Sequence, residues 1–229
     1  MVPPPLAHAS TRWDRPVSLL GALVSLLLVA GDASALDVPV APYLQSLAAG
    51  EVGVVEGRVY QHPPRPQAPD IPLARASVVL VPRSDTLARV LEDLKRHSRD
   101  SAVGYREAVG RMRRAKERYE RELAQAGAGD LVRPLMVDAE GAFRAVDVPA
   151  GEWLVIASHA DFVTASSARA TAKERDKFRT SPRVTGYEAV RLWMRTVTVA
   201  RGRRESVELT DRNVWFSGIA ENRVMDTGR

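Results

Sequence analysis

The sequence predicts a mainly β protein, with about seven short strands in a two-sheet sandwich and an antiparallel α-helical hairpin inserted among them. Three observations carry that expectation. Runs rich in β-branched residues recur between clusters of Gly, Pro and Asp, the pattern of sandwich strands and their turns. Over residues 85–126 the apolar spacing changes to steps of three and four, which is the period of a helix. The composition, 45% hydrophobic and 27% charged over 229 residues, is that of an ordinary globular chain.

Residues 1–35 read as a signal peptide. Arg12 and Arg15 precede the apolar run Val17–Ala30, and Ala33-Ser34-Ala35 follows as a small-x-small cleavage site, the three parts of an export signal. The run falls short of the roughly 20 residues that span hydrocarbon, so cleavage after Ala35 is expected, leaving a periplasmic or secreted chain without a stable transmembrane anchor. A retained anchor is the alternative. With no cysteine in the chain, disulfides, thiolate zinc sites, iron–sulfur clusters, a lipidated cysteine and a cysteine nucleophile are all excluded.

Residues 36–50 read as a linker and 51–210 as the sandwich domain. Glu51–Tyr60 is a β-branched strand. The stretch 61–72 holds five prolines and reads as a loop of polyproline character. In Ala74–Pro82 the unbroken Val78-Val79-Leu80-Val81 suits a strand covered on both faces. Ser84 or Asp85 then caps a helix carrying Leu87, Val90, Leu91 and Leu94 at helical spacing. After a polar break at His97–Ser101, a longer helix carries Ala102, Tyr105, Val109, Met112, Tyr119 and Leu123, with Lys116 interrupting the seam. Opposite charges four apart (Arg113/Glu117, Glu117/Arg121, Arg118/Glu122, Lys116/Glu120) support a solvated face. Gly127 and Gly129 close the insert, which is expected to be a short antiparallel coiled coil whose two stripes face each other.

Strands resume at Leu131–Val137, Ala142–Val148 and Glu152–Ser158, divided by Asp138-Ala-Glu-Gly141 and Pro149-Ala-Gly151, both turn chemistry. Residues 160–187 read as a crossing loop, with a short helix at 168–178. Ala189–Ala200 and Glu205–Thr210 are expected to pair as a closing hairpin, and 211–229 to be a C-terminal tail in which Trp215 and Phe216 are buried.

The order Gly57-Arg58-Val59, Asp138-x-x-Gly141-x-Phe143 and Val148-Pro149-x-Gly151-x-Trp153 resembles the carboxypeptidase regulatory-like domain. That family implies a transthyretin-like (prealbumin-like) β-sandwich and an accessory role, with no catalytic residues to transfer. Gly57, Asp138, Gly141, Phe143, Pro149, Gly151 and Trp153 would be its structural motif, with Trp153 in the core near Phe143. The resemblance covers about half the chain after residue 35; residues 85–126 and 160–187 depart from it. A Lys–Asn isopeptide crosslink of the related collagen-adhesin kind is excluded, because Glu51–Tyr60 contains no lysine.

Of the net charge of +5, most lies in residues 83–127. Arg106, Arg111, Arg113, Arg114 and Arg118 are the candidate contact surface, suited to an unknown protein or an anionic cell-envelope component. Nucleic acid is disfavoured, since no aromatics interleave with the basic run. Catalysis has little material: Ser158, His159 and Asp161 are neighbours on a strand and alternate faces, and Asp138, Glu140 and Asp147 lack calcium-loop spacing. No metal or cofactor is expected. The resulting expectation is an exported, non-enzymatic binding or structural module. The alternative is a carbohydrate-binding module of the starch-binding-like type, which would need Trp153, Trp193 or Trp215 on an exposed platform.

Overall fold

In the computed structural model the described residues are 36–65, 67–164 and 183–224. The expected signal peptide and cleavage site, and the helix expected at 168–178, lie outside them.

The chain opens with α1 (Val40–Ala48), inside the stretch expected to be a linker, and continues as β1 (Val52–Gln61), β2 (Ile71–Pro72) and β3 (Ser77–Pro82). The helical hairpin follows as α2 (Asp85–His97) and α3 (Ala102–Gln125). Then come β4 (Arg133–Leu135), β5 (Ala142–Pro149), β6 (Gly151–Thr164), β7 (Arg183–Val199), β8 (Arg204–Thr210) and β9 (Phe216–Val224). The described residues thus form nine strands rather than about seven.

The strands make two sheets. In the first, β1 is central, antiparallel to β5 on one side and parallel to β8 on the other, with β2 continuing the β5 side. The second runs β4-β3-β6-β7-β9, antiparallel throughout. Side chains alternate faces along a strand, and the second sheet is buried on both. Val78, Leu80, Trp153, Val155 and Trp193 point toward the first sheet, where Val55, Val59, Phe143, Val207 and Leu209 meet them. The Trp193 indole N–H ties the layers together, donating to the Thr210 carbonyl at 2.7 Å. On its other face the second sheet carries Val79, Ile156, Val190, Leu192 and Met194 under the hairpin.

Helix ends follow the local sequence. Ser84 caps α2, its hydroxyl accepting from the Leu87 N–H at 2.9 Å, and Ser101 caps α3 by accepting from the Gly104 N–H at 2.9 Å. Such caps satisfy donors that have no partner inside the helix. Leu87 and Leu91 of α2, and Ala108, Val109, Met112, Tyr119 and Leu123 of α3, are buried.

The expected crossing loop 160–187 is cut back at both ends, because 160–164 belong to β6 and 183–187 to β7, and four further expectations are corrected. First, the apolar stripes of the hairpin face the sheet as well as each other. Val109 lies over Gly218 of β9, where even a Cβ would come within 2.9 Å of it, and the Tyr119 hydroxyl donates to the Pro82 carbonyl at 2.9 Å. Second, β7 and β8 do not pair. Both edges of β7 are taken by β6 and β9. The Gly202 N–H donates to the Val52 carbonyl at 2.7 Å, which turns the chain across to the other sheet. Third, the described part of the expected tail, residues 211–224, is not a tail: β9 pairs with β7 from Leu192↔Phe216 to Arg183↔Val224. Fourth, 36–50 is an anchored segment, with Val38 and Tyr43 buried.

The turn residues singled out in the sequence sit at corners. Asp138 accepts the N–H groups of Glu140 and Ala142 at 3.1 and 2.7 Å, and Gly141 supplies the positive φ of +78° the turn requires. Gly57 lies under the Phe143 ring, which a Cβ there would approach to 2.6 Å. At the corner from β5 to β6, the Pro149 carbonyl accepts the Trp153 indole N–H at 2.8 Å.

Candidate functional site

Between the hairpin and the second sheet lies a cavity of about 250 Å³. Its floor is strand residues of one face, Val79 from β3, Ile156 and Ser158 from β6, and Val190, Leu192 and Met194 from β7. Its roof is Leu91 from α2 with Val109 and Met112 from α3, and Trp215 closes one side. Three ionisable side chains of α3, Arg113, Lys116 and Glu117, border this apolar space. Lys116, which interrupts the apolar seam in the sequence, is half-buried with its ammonium 2.7 Å from Glu120. Clefts that combine an apolar lining with a few polar groups are the usual form of small-molecule sites.

The basic residues expected to form a contact surface are all exposed, but their surroundings differ. Arg111 is bonded to Glu107 and is spent on its own helix. Arg106 donates to the Ala102 carbonyl at 3.1 Å. Arg118 lies in a separate hollow with Asp37 and Thr86. Arg113 borders both the cavity and a more open hollow that also holds Arg106, Arg114, Gly110 and Ala220 of β9. Of the four i,i+4 pairs expected, Lys116–Glu120 forms; among the described residues Arg113 and Arg114 make no ion pair.

A second polar group lies on the opposite face of β6, where it continues beyond the strand end expected near His159. The Arg191 guanidinium donates to Asp161 Oδ2 at 2.8 Å and to Gln61 Oε1 at 3.1 Å, and lies 3.4 Å from His159 Nδ1. His159 is buried, and that burial pushes its imidazole below its usual range. Asp161 opposes the shift, while Arg191 and Arg75 reinforce it. Ser158 points away from this group and lines the cavity, so Ser158, His159 and Asp161 do not converge. Nearby, His62 Nδ1 lies 2.6 Å from Asp211 Oδ1, and the His62 backbone and side-chain hydrogen bonds hold that carboxyl below its ordinary value. Among the described residues no three His, Asp or Glu side chains are grouped to hold a metal ion. No helix among them is long and apolar enough to cross a membrane.

The three tryptophans among the described residues are committed to the fold. Trp153 and Trp193 are fully buried. Trp215 is half-buried, donating to Glu92 Oε2 at 3.2 Å with Lys95 Nζ 4.9 Å above its ring. Phe216 beside it is buried. The cavity itself was not legible in the sequence. Its signal was present in two places, the strand runs with no polar face and the lysine in an apolar helical seam, but nothing in the spacing brings the two together.

No family model matches the chain, and no curated protein matches it. Among solved structures, a Pseudomonas aeruginosa protein called a "putative carbohydrate binding protein" is similar at 17% identity, over 76% of this chain and 97% of that one, with a TM-score of 0.41. Similarity at that level carries no argument about this chain's ligand.

Proposed function

We propose that this chain is an exported, non-enzymatic binding module on a prealbumin-like sandwich of the carboxypeptidase regulatory-like kind, and that it holds its ligand between the helical hairpin and the sheet. The observation that carries the reading is the apolar cavity of about 250 Å³ with ionisable groups on one border. It is built partly by the hairpin, the segment that departs from the family resemblance. The motif residues Gly57, Asp138, Gly141 and Trp153 support the sandwich assignment through their corner roles. The signal-like residues 1–35 support export. The opposed faces of Ser158 and His159 speak against a hydrolytic triad. The carbohydrate alternative requires a tryptophan platform, and among the described residues the buried Trp153 and Trp193 leave only the engaged Trp215 to offer one.

A neutral apolar fluorophore, N-phenyl-1-naphthylamine, tests the cavity without involving charge. The expected result is saturable binding at one site per chain, weakened at least tenfold by Ser158→Phe, which fills the floor. Circular dichroism and the thermal transition of that variant should match the parent protein. Unchanged dye binding in a folded Ser158→Phe protein would remove the cavity as the site.

A further inference from the structure

We infer that the occupant of this cavity is a single-chain amphiphile with an anionic head, its chain beneath the hairpin and its head on Arg113. The inference rests on the cavity being the binding site and adds the chemical class of the ligand.

Size sets the chain. At roughly 30 Å³ per water-sized group, about 250 Å³ holds about eight methylenes. That is too little for a folded peptide or a two-chain lipid. The lining sets the chemistry of that part: Val79, Ile156 and Leu192 offer no hydrogen bond, Met112 only a weak acceptor, and Ser77 and Ser158 are the two hydroxyls of the floor, so most of a polar ligand body would lose its solvation there without replacement.

Charge sets the head. Lys116 borders the cavity, yet its ammonium is already neutralised by Glu120 at 2.7 Å. Arg113 borders the same space, is exposed, and has no ion-pair partner among the described residues. Its guanidinium presents a planar fork that fits a carboxylate or phosphate through two parallel hydrogen bonds. The adjoining hollow adds cations of the same helix face, Arg106 and Arg114. Two carboxylates oppose this charge: Glu117 on the cavity border, one turn from Arg113, and Glu107 in the adjoining hollow, where it is already paired with Arg111; they weaken anion binding without neutralising Arg113.

Calorimetric titration of the protein with straight-chain carboxylates from hexanoate to tetradecanoate, below their micellar concentrations, tests this against alcohols of the same lengths. The carboxylates should bind about tenfold or more tightly than the alcohols, as expected for a hydrogen bond to a charged group. Affinity should rise about fourfold per methylene and level off near eight to ten carbons. Arg113→Gln should erase the preference for carboxylate while leaving alcohol binding unchanged, and Glu117→Gln should strengthen carboxylate binding. Equal binding of alcohols and carboxylates by the parent protein would overturn the anionic head and leave the cavity as the site. A preference for alkyl ammonium ions would overturn the sign of the charge argument. Binding of neither series, together with no binding of the neutral dye, would overturn the cavity itself.

Discussion

Trp153 is held at three points: its indole N–H by the Pro149 carbonyl at 2.8 Å, its ring edge-on to Tyr43 at 5.3 Å between centroids, and its register by pairing with Val197. Tyr43 is itself fixed, donating to the Glu152 carbonyl at 2.6 Å. Trp153→Ala should therefore cost about 3–5 kcal/mol out of the roughly 5–15 that hold a domain together. Urea unfolding measures this, and a loss below about 1 kcal/mol would place the ring outside the core. Asp37 is a residue of a different kind, tying α1's leading segment to the hairpin. Its carboxylate accepts the Ser84 hydroxyl and the Thr86 N–H, each at 2.7 Å. Partial burial alone would raise its pKa, but those hydrogen bonds outweigh it and hold the group below the ordinary carboxylate value. The unfolded chain takes up the proton first as pH falls, so the stabilisation is complete above about pH 4 and is lost through the lowered folded value. Asp37→Asn should lower neutral-pH stability by about 0.5–1 kcal/mol, a modest capping effect because the group is exposed. It should also flatten the acid limb of a stability–pH curve; an unchanged limb would show that Asp37 is not its source.

At the scale of elements, the hairpin is the third layer of the molecule. The strands at its two ends are neighbours, since Leu80 pairs with Arg133, so a short linker could span the gap. Yet the helices cover Val79, Ile156, Val190, Leu192 and Met194, and uncovering so large an apolar face favours association. Replacing residues 85–128 with a short Gly-Ser linker should therefore abolish the cooperative thermal transition and give aggregation-prone material. A monomeric protein that still melts cooperatively would show that the two sheets suffice.

For the whole molecule, both sheets are completed by strands late in the chain, β8 and β9. β8 lies parallel to β1 from Val54↔Arg204 to Tyr60↔Thr210, a contact between distant ends of the described chain. β9 then completes the other sheet and receives α3, with Phe216 buried. Ending the chain at Thr210 should remove one edge of that sheet and the surface under α3 at once. The expected outcome is loss of soluble, cooperatively melting protein, read by circular dichroism. A midpoint within about 2 °C of the full chain, a stability change well below 1 kcal/mol, would make β9 peripheral.

Local rules sufficed for what depends on neighbours in the chain. The Ser84 cap, the helical spacing of Leu87 and Leu91, the Gly141 turn and the strand runs around Val78–Val81 and Trp153–Ala157 were all readable, because caps, periods and turns are set within a few residues. The unbroken run Val78–Val81 even indicates a strand covered on both faces. What covers them was decided only in three dimensions. Alternation shows that Arg204–Thr210 is a strand but not that it pairs with β1, since partner choice depends on which edges are already occupied. Helix α1 and strand β9 escaped notice because short segments with mixed patterning take their structure from the surfaces they dock on. The cavity with Arg113 on its border belongs wholly to the tertiary structure: its floor comes from β3, β6 and β7 and its roof from α2 and α3, and only packing the hairpin on the sheet brings the apolar space and the Arg113 guanidinium together.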